Sequence, residues 1–428
     1  MRWHLQGGHV IDPACGRDGP ADVWIADGHI VAVGTAPPEF TADRTLALDG
    51  RLVLPGLIDL AVRLREPGQE HKATIASELP AAAAGGITTL VCPPDTQPVV
   101  DSPAQIEYIQ RSAAAVGGPR VEVLAALTVG LEGTALAEMA ALRDGGCIGL
   151  SNGLRPVANT LVLRRALEYA DTLGLTVHLH PLDPHLAADG CAHEGAVATR
   201  LGLPGIPRAA ETAALAQILA LVEQTGARVH ICRLSTARGA HLLAQARAEG
   251  LPVSADVAVH QLFLTEDDLE GFDARCHVLP PARTAADRAA LREAVASGLV
   301  QAVCSDHQPH DEDAKTAPFP QTEPGVSGLE TLLALMLELV GQGVLDRPTA
   351  VAALTGGPAT VLGLDRGALR PGAPADLTVV DPDTTWTLEA QNMRSRGRNT
   401  PFLGRRLRGR VTHTWVAGTL VYALEGGR

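Results

Sequence analysis

The feature that most restricts what this chain can fold into is a rhythm. Short runs rich in β-branched residues recur between longer Ala- and Leu-rich stretches from about residue 56 to residue 305. Eight such runs can be read, at Gly56–Leu64, Ile87–Cys92, Val121–Leu127, Cys147–Ser151, Thr176–His180, Arg228–Leu234, Val253–Ala258 and Val300–Ser305. Strands separated by helical stretches imply parallel pairing, because a parallel neighbour is reached only by a crossover long enough to hold a helix. Eight units predict an α/β fold closed into a (β/α)8 TIM-type barrel rather than an open sheet.

The two ends have a different texture. Residues 1–54 alternate short apolar runs with Asp-Gly and Gly turns, as in "ADVWIADGHIVAVG" and "RTLALDGRLVLPG". The same texture returns over residues 367–428, in "GALRPGAPADLTVVDP" and "GRVTHTWVAGTLVY". Both read as hairpin-rich β segments. They are expected to pair into one small β-sandwich, leaving residues 55–366 for the barrel.

With 428 residues, of which 46% are hydrophobic, the chain can bury a large core. Its formal charge of −13 argues against nucleic acid or an anionic membrane as partner, since both need clustered cations. The basic run "RSRGRNTPFLGRRLRGR" near the C-terminus is a local exception, expected to be an interface or a solvated surface. The start "MRWHLQGGHVIDPACG" has no apolar signal core, and no later stretch is long enough to span a bilayer, so a cytoplasmic location is expected. Seven cysteines without paired spacing, four of them in predicted strands (Cys92, Cys147, Cys232 and Cys304), read as buried free thiols.

In barrels of this type the working residues stand at the C-terminal ends of the strands. Those positions hold Arg63 and Arg65, then Ser151 and Asn152, His178 and His180, His230 and Arg233, and finally Asp306 and His307, with His260 in the loop after the seventh strand. The His178 and His180 side chains, spaced i, i+2, leave one face of their strand. Histidines converging with a carboxylate suit zinc. His180 also reads as a solvent-facing or satisfied histidine, and His260 and His307 as loop histidines that hydrogen-bond the barrel rim, none of which needs a ligand.

In "LREPGQEHKATI", "AAAAGGITTLVCPPDTQPVVDSP", "HEGAVATRLGLPGIPRAAE", "TGARVHICRLSTARGA", "DHQPH", "GVSGLET" and "SRGRNTPFLGRRLRGRV" the chain resembles the dihydroorotases of the amidohydrolase superfamily. The resemblance runs along nearly the whole length. It implies a barrel with a sandwich built from both termini, and chemistry that interconverts N-carbamoyl-aspartate and dihydroorotate.

Carried over residue by residue, the resemblance finds a depleted site. The paired histidines of the first strand fall at Ala61 and Arg63, the fourth-strand carboxylate at Asn152, and the sixth-strand ligand at Arg233. Of six metal or base positions, His178 and Asp306 remain. Arg65, which the resemblance makes a substrate-carboxylate contact, is present. The substrate-binding asparagine becomes Asp95 in "CPPDT", and another becomes Leu279 in "VLPPAR". A carboxylate at position 95 only accepts hydrogen bonds and would repel an anionic substrate.

The chemistry that the resemblance implies needs a metal to ionise water. Lowering the pKa of water from about 15.7 to about 7 is worth on the order of 12 kcal/mol. Guanidinium groups at positions 63 and 233 cannot lose their charge and would exclude the ion. Arg63 or Arg233 is expected instead to pair with Asp306 and fill the vacated space.

Two readings follow. In the first, no cofactor is held and the chain is a non-catalytic homologue. Some bacterial chains that lack these histidines assemble with the aspartate carbamoyltransferase catalytic chain, so that chain would be the partner in a hetero-oligomer. In the second, the chain is an active cyclic amidohydrolase with a rearranged zinc site, for example on His178, His180 and Asp306. A weaker third is a sensor that binds carbamoyl-aspartate through Arg65 without turnover.

Overall fold

A computed structural model describes residues 1–424. Eight parallel strands succeed one another in chain order, at Leu57–Asp59, Ile87–Cys92, Arg120–Ala126, Gly149–Ser151, Val177–Leu179, Val229–Ile231, Val253–Ala258 and Ala302–Cys304. Seven of the eight predicted runs contain one of them, and the third, Val121–Leu127, is offset by one residue from Arg120–Ala126. Two backbone bonds bring the first and last strands together, Arg63 N–H to His307 C=O at 2.9 Å and His307 N–H to Ala61 C=O at 3.0 Å. The barrel is thereby nearly closed.

The first strand is shorter than its predicted run. Its ladder stops at Asp59, and a single bridge at Val62 continues the pairing. The cause is local: Asp59 Oδ1 accepts from Ala61 N–H at 3.3 Å and Ser305 N–H at 3.0 Å, so a side chain takes donors that a longer ladder would use.

Several of the helices between the strands begin at side-chain caps and bury one stripe. Thr74 closes a capping box with Ser77 ahead of the Ile75–Ala84 helix, and Asn159 Oδ1 accepts from Leu161 and Val162 N–H ahead of Thr160–Thr172. Within Thr160–Thr172 the buried residues are Leu163, Ala166, Leu167 and Ala170, at helical spacing along one face. The loop after the fifth strand carries a two-residue parallel pair, Ala192–His193 with Gly205–Ile206, which period alone does not signal.

The terminal segments do pair. Leu52–Pro55 lies antiparallel to Leu377–Thr387, with Val53 opposite Val379, inside a six-stranded sheet that also holds Arg406–Val416. A second, four-stranded sheet comes wholly from the N-terminal segment: Trp3–Gln6, Val23–Ala26, His29–Val33 and Arg44–Ala47. Trp3 from one sheet meets Trp415 from the other edge to face, with ring centroids 5.6 Å apart. Six of the seven cysteines are buried free thiols, and Cys15 is the exposed one. Among the described residues no helix is long and apolar enough to cross a membrane.

Trp415 is fully buried at the centre of the apolar cluster between the two sheets. Trp415→Ala is expected to cost about 3–5 kcal/mol of stability, because the lost burial adds to the cavity left behind. Denaturant unfolding followed by circular dichroism reads this directly, and a cost below about 1 kcal/mol would show that the sheets do not depend on this contact.

Candidate functional site

At the C-terminal end of the barrel the chain turns sharply at three strand ends. Arg65, Arg233 and Asp306 take left-handed φ values of 63°, 53° and 45°. Non-glycine residues rarely adopt this region, and the strain is tolerated where the surroundings over-determine it. The turn at Asp306 puts its carboxylate at the centre of the mouth, only 1% exposed.

Two guanidinium groups converge on it. Arg63 Nη1 stands 3.5 Å and Arg233 Nε 3.8 Å from the same oxygen, Asp306 Oδ1. Gln308 Nε2 donates to the other oxygen at 3.0 Å. The pairing expected of Arg63 or Arg233 is made by both. Each arginine also reaches a second carboxylate. Arg63 Nε donates to Asp95 Oδ2 at 2.8 Å, and Arg233 Nη1 lies 3.8 Å from Asp256 Oδ2. Asp95 therefore has a structural use beyond the charge repulsion read from its sequence position.

Asp256 was not singled out in the sequence, although an acid within the apolar run "VSADVAV" is its signal. It organises the wall behind Arg233. Its Oδ1 accepts the Arg233 backbone N–H at 2.7 Å, and its Oδ2 faces His230 Nε2 at 2.9 Å. Burial alone would raise its pKa, but the Arg233 charge and the His230 hydrogen bond bring it down to about 2. A carboxylate only accepts, so His230 carries a proton on Nε2, and its Nδ1 is hydrogen-bonded to Ser254 Oγ, 2.8 Å away. The line Ser254–His230–Asp256 thus fixes one ring and one arginine.

The remaining positions are equally committed. Ala61 packs in an apolar cluster with Val91 and Cys304. Asn152 acts as a neutral amide: its Oδ1 accepts from Thr128 Oγ1 at 2.7 Å and its Nδ2 donates to the carbonyls of Leu131 and Arg155. Arg65 is tied to Pro309 C=O, Gln69 Oε1 and His310 Nε2 at 3.0, 3.0 and 3.1 Å.

Two histidines depart from the rim role expected of them. His307 is wholly buried, joins Glu78 Oε2 at 2.9 Å, and accepts the Gly328 N–H at 3.1 Å, so it pins a strand end to a helix. His260 is also buried, with neither ring nitrogen partnered; burial pushes its pKa down to about 4 and keeps it neutral. His180 is held by Cys232 C=O at 3.2 Å and is lowered to about 4 by burial and by the Arg233 charge.

Zinc, which the resemblance would place here, does not fit these residues. Among the described residues one group of three donors comes together, His178, His230 and Cys232, with atoms within 4.8 Å. Both His230 nitrogens already have partners, and burial pushes the Cys232 thiol up to about 12. His178, His180 and Asp306 do not form such a group. Arg63 and Arg233 stand on Asp306, where the resemblance expects ligands, and each cation about 4 Å from an ion costs on the order of 4 kcal/mol per unit of its charge.

The family profile described as "Dihydro-orotase-like" matches residues 50–238. The chain is 50% identical over 425 residues to a "Dihydroorotase-like protein" of Pseudomonas putida, covering 99% of this chain and 100% of that one. A second protein so named, from Pseudomonas aeruginosa, is 52% identical over 422 residues with the same coverage. A "Dihydroorotase" of Anaeromyxobacter dehalogenans is 44% identical over 420 residues, 98% of this chain and 97% of that one. Among solved structures, the L-hydantoinase (dihydropyrimidinase) from Arthrobacter aurescens superposes with a TM-score of 0.88 at 24% identity, over 99% of this chain and 97% of that one. That likeness is one of fold.

Arg233→Met should destabilise the protein by about 3 kcal/mol, because it removes one of two cations facing a buried carboxylate. Adding Asp306→Asn should recover about 1–3 kcal/mol as coupling, and additive costs in the cycle would show that the pair does not interact.

Asp59, buried beneath this pair, gives a pH signature. Burial raises its pKa from 3.8 to about 7, against the hydrogen bonds from Ser305 and Ala61. The folded state then binds the proton more tightly than the unfolded one, so wild-type stability falls as pH rises from about 4 to about 7. Asp59→Asn removes that slope and should gain up to about 4 kcal/mol on wild type between pH 4 and pH 8. Parallel stability curves for the two proteins would refute this assignment.

Proposed function

The chain belongs to the dihydroorotase-like family, and we propose that it is a non-catalytic member that acts in the cytoplasm in pyrimidine biosynthesis as an assembly partner of the aspartate carbamoyltransferase catalytic chain. One observation carries the first half of this reading: Arg63 and Arg233 both stand on Asp306. In an active member of such a family that carboxylate would face a metal and its water. Here it faces two permanent cations, which supply no base and no ionised water.

The site is also closed to partial recovery by its own residues. His178 is neutral, its pKa held down by burial and by His230, and the amide of Asn152 is fully used between two loops. Arg65, the one substrate contact that the sequence retains, is fastened to Pro309, Gln69 and His310. The names of the relatives run parallel to this reading, since the two at 50% and 52% identity are called "Dihydroorotase-like protein" and one at 44% "Dihydroorotase".

The partner is proposed from the resemblance to inactive bacterial chains that associate with the transcarbamoylase. A fold kept whole after its chemistry is lost is understandable if its surface does the work. Such an assembly makes the chain a hetero-oligomer subunit with no cofactor of its own.

Two measurements test the reading. Metal analysis of the purified protein, with a dihydroorotate assay in added zinc, should find neither a stoichiometric ion nor turnover; about one tightly held zinc with turnover would establish the active amidohydrolase instead. Co-expression with the transcarbamoylase catalytic chain should give one large species on size-exclusion chromatography. A fully active transcarbamoylase eluting apart from this chain would remove the scaffold role.

A further inference from the structure

The basic run near the C-terminus is mostly used within the fold. Arg394 and Arg410 lie over the rings of Tyr422 and Trp386, Arg405 reaches Glu338, and Arg408 reaches Asp383. Arg396 and Arg398 are different. Their Nη1 atoms donate only to carbonyls, of Glu70 at 2.9 Å and Met393 at 2.5 Å respectively.

Both line a cavity of about 730 Å³ between the loops that follow the first, seventh and eighth barrel strands. Lys315 lines it as well, and its Nζ too is held by carbonyls, Glu323 at 2.5 Å and His277 at 3.4 Å. Two further cations of the wall are neutralised, Lys72 by Glu323 at 2.5 Å and Arg275 by Asp273 at 2.6 Å. Among the described residues no carboxylate lies within 4.0 Å of Lys315, Arg396 or Arg398. The other acids of the wall are Asp311, which accepts the Ala314 N–H at 3.1 Å, and Glu312.

Carbonyl oxygens fix a cation's position without cancelling its charge. Three such cations on one cavity wall therefore stand out in a protein of net charge −13. His310, on the same wall, is lowered to about 2 chiefly by burial, with Arg65, Lys72 and Lys315 adding to it. A cavity of this size suits a metabolite, and arginine forks match phosphate oxygens in pairs. Phe272, 48% exposed at the rim, offers a flat apolar face to the rest of such a molecule.

We propose that this cavity binds a phosphate- or pyrophosphate-bearing small molecule through Lys315, Arg396 and Arg398. It adjoins the arginine–carboxylate centre at His310, which lines the cavity and bonds Arg65, but its three cations are other residues than those that face Asp306. It does not depend on whether the chain hydrolyses anything or on its partner.

Isothermal titration of the full chain with inorganic pyrophosphate, and separately with adenosine diphosphate, tests the site. Saturable binding that weakens with added salt is expected for at least one probe. Lys315→Gln and Arg398→Gln should each weaken it by about tenfold, as expected for losing one charge-assisted hydrogen bond. Arg111→Gln, on the exposed face of the Pro103–Val116 helix, should leave it unchanged. If the ligand is organic, Phe272→Ala weakens the nucleotide and spares pyrophosphate; if free polyphosphate is the ligand, pyrophosphate binds alone. Absence of saturable binding by both probes would overturn the proposal. So would unaltered affinity in Lys315→Gln and Arg398→Gln proteins that melt at the wild-type temperature.

Discussion

A single buried carboxylate sets the terms for the mouth of this barrel. Asp306 sits at a left-handed turn, 1% exposed, and an unpaired charge there would be intolerable. Arg63 and Arg233 answer it from two other strands, so three points on the barrel ring are joined through one oxygen, Asp306 Oδ1. The ring depends on that junction, because Arg63 and His307, which close the barrel through the backbone, flank it.

The junction is stiffened from behind. Asp256 holds the Arg233 backbone and orients His230, which in turn is held by Ser254. Asp95 takes the other side of Arg63. The result is an alternation of carboxylate and guanidinium, Asp95–Arg63–Asp306–Arg233–Asp256, in which each inner member has a partner on both sides. Such a chain satisfies charge without an ion. It also leaves polar atoms without a hydrogen bond, among them Arg233 Nε, whose contact with Asp306 is ionic only, His178 Nε2 and both nitrogens of His260, which marks a pocket whose side chains are not all fitted to one another.

The sequence made the barrel legible because its signal is periodic: eight apolar runs of the right length, separated by amphipathic stretches with caps such as Asn159, leave few alternatives. The pairing of the two ends was legible from texture, but the four-stranded sheet made only from the N-terminal segment was not, since alternation does not say which strand is a neighbour. Within the site, the arginines at positions 63 and 233 announced their pairing with Asp306 by charge alone. Asp256 and Asp59 are not legible because a lone acid inside an apolar strand has no spacing to read. Their loop positions suggest the rim for His307 and His260, whereas the left-handed turn at Asp306 carries His307 inward to Glu78.

The way the site is filled also bears on what it could hold. Histidine at positions 63 and 233 would offer two ligand nitrogens while stranding Asp95 and Asp256, each of which now faces a guanidinium. The fourth-strand position would still present an amide committed to Thr128, Leu131 and Arg155, and Ala61 would still lie in an apolar cluster. Residues in one network are not additive, so intermediate substitutions would each leave a buried charge unpaired at a cost of a few kcal/mol, against a domain stability of about 5–15 kcal/mol. A centre built as an ion-pair chain is therefore held in that state by the folding of the barrel itself, independently of any selection on what the surface binds.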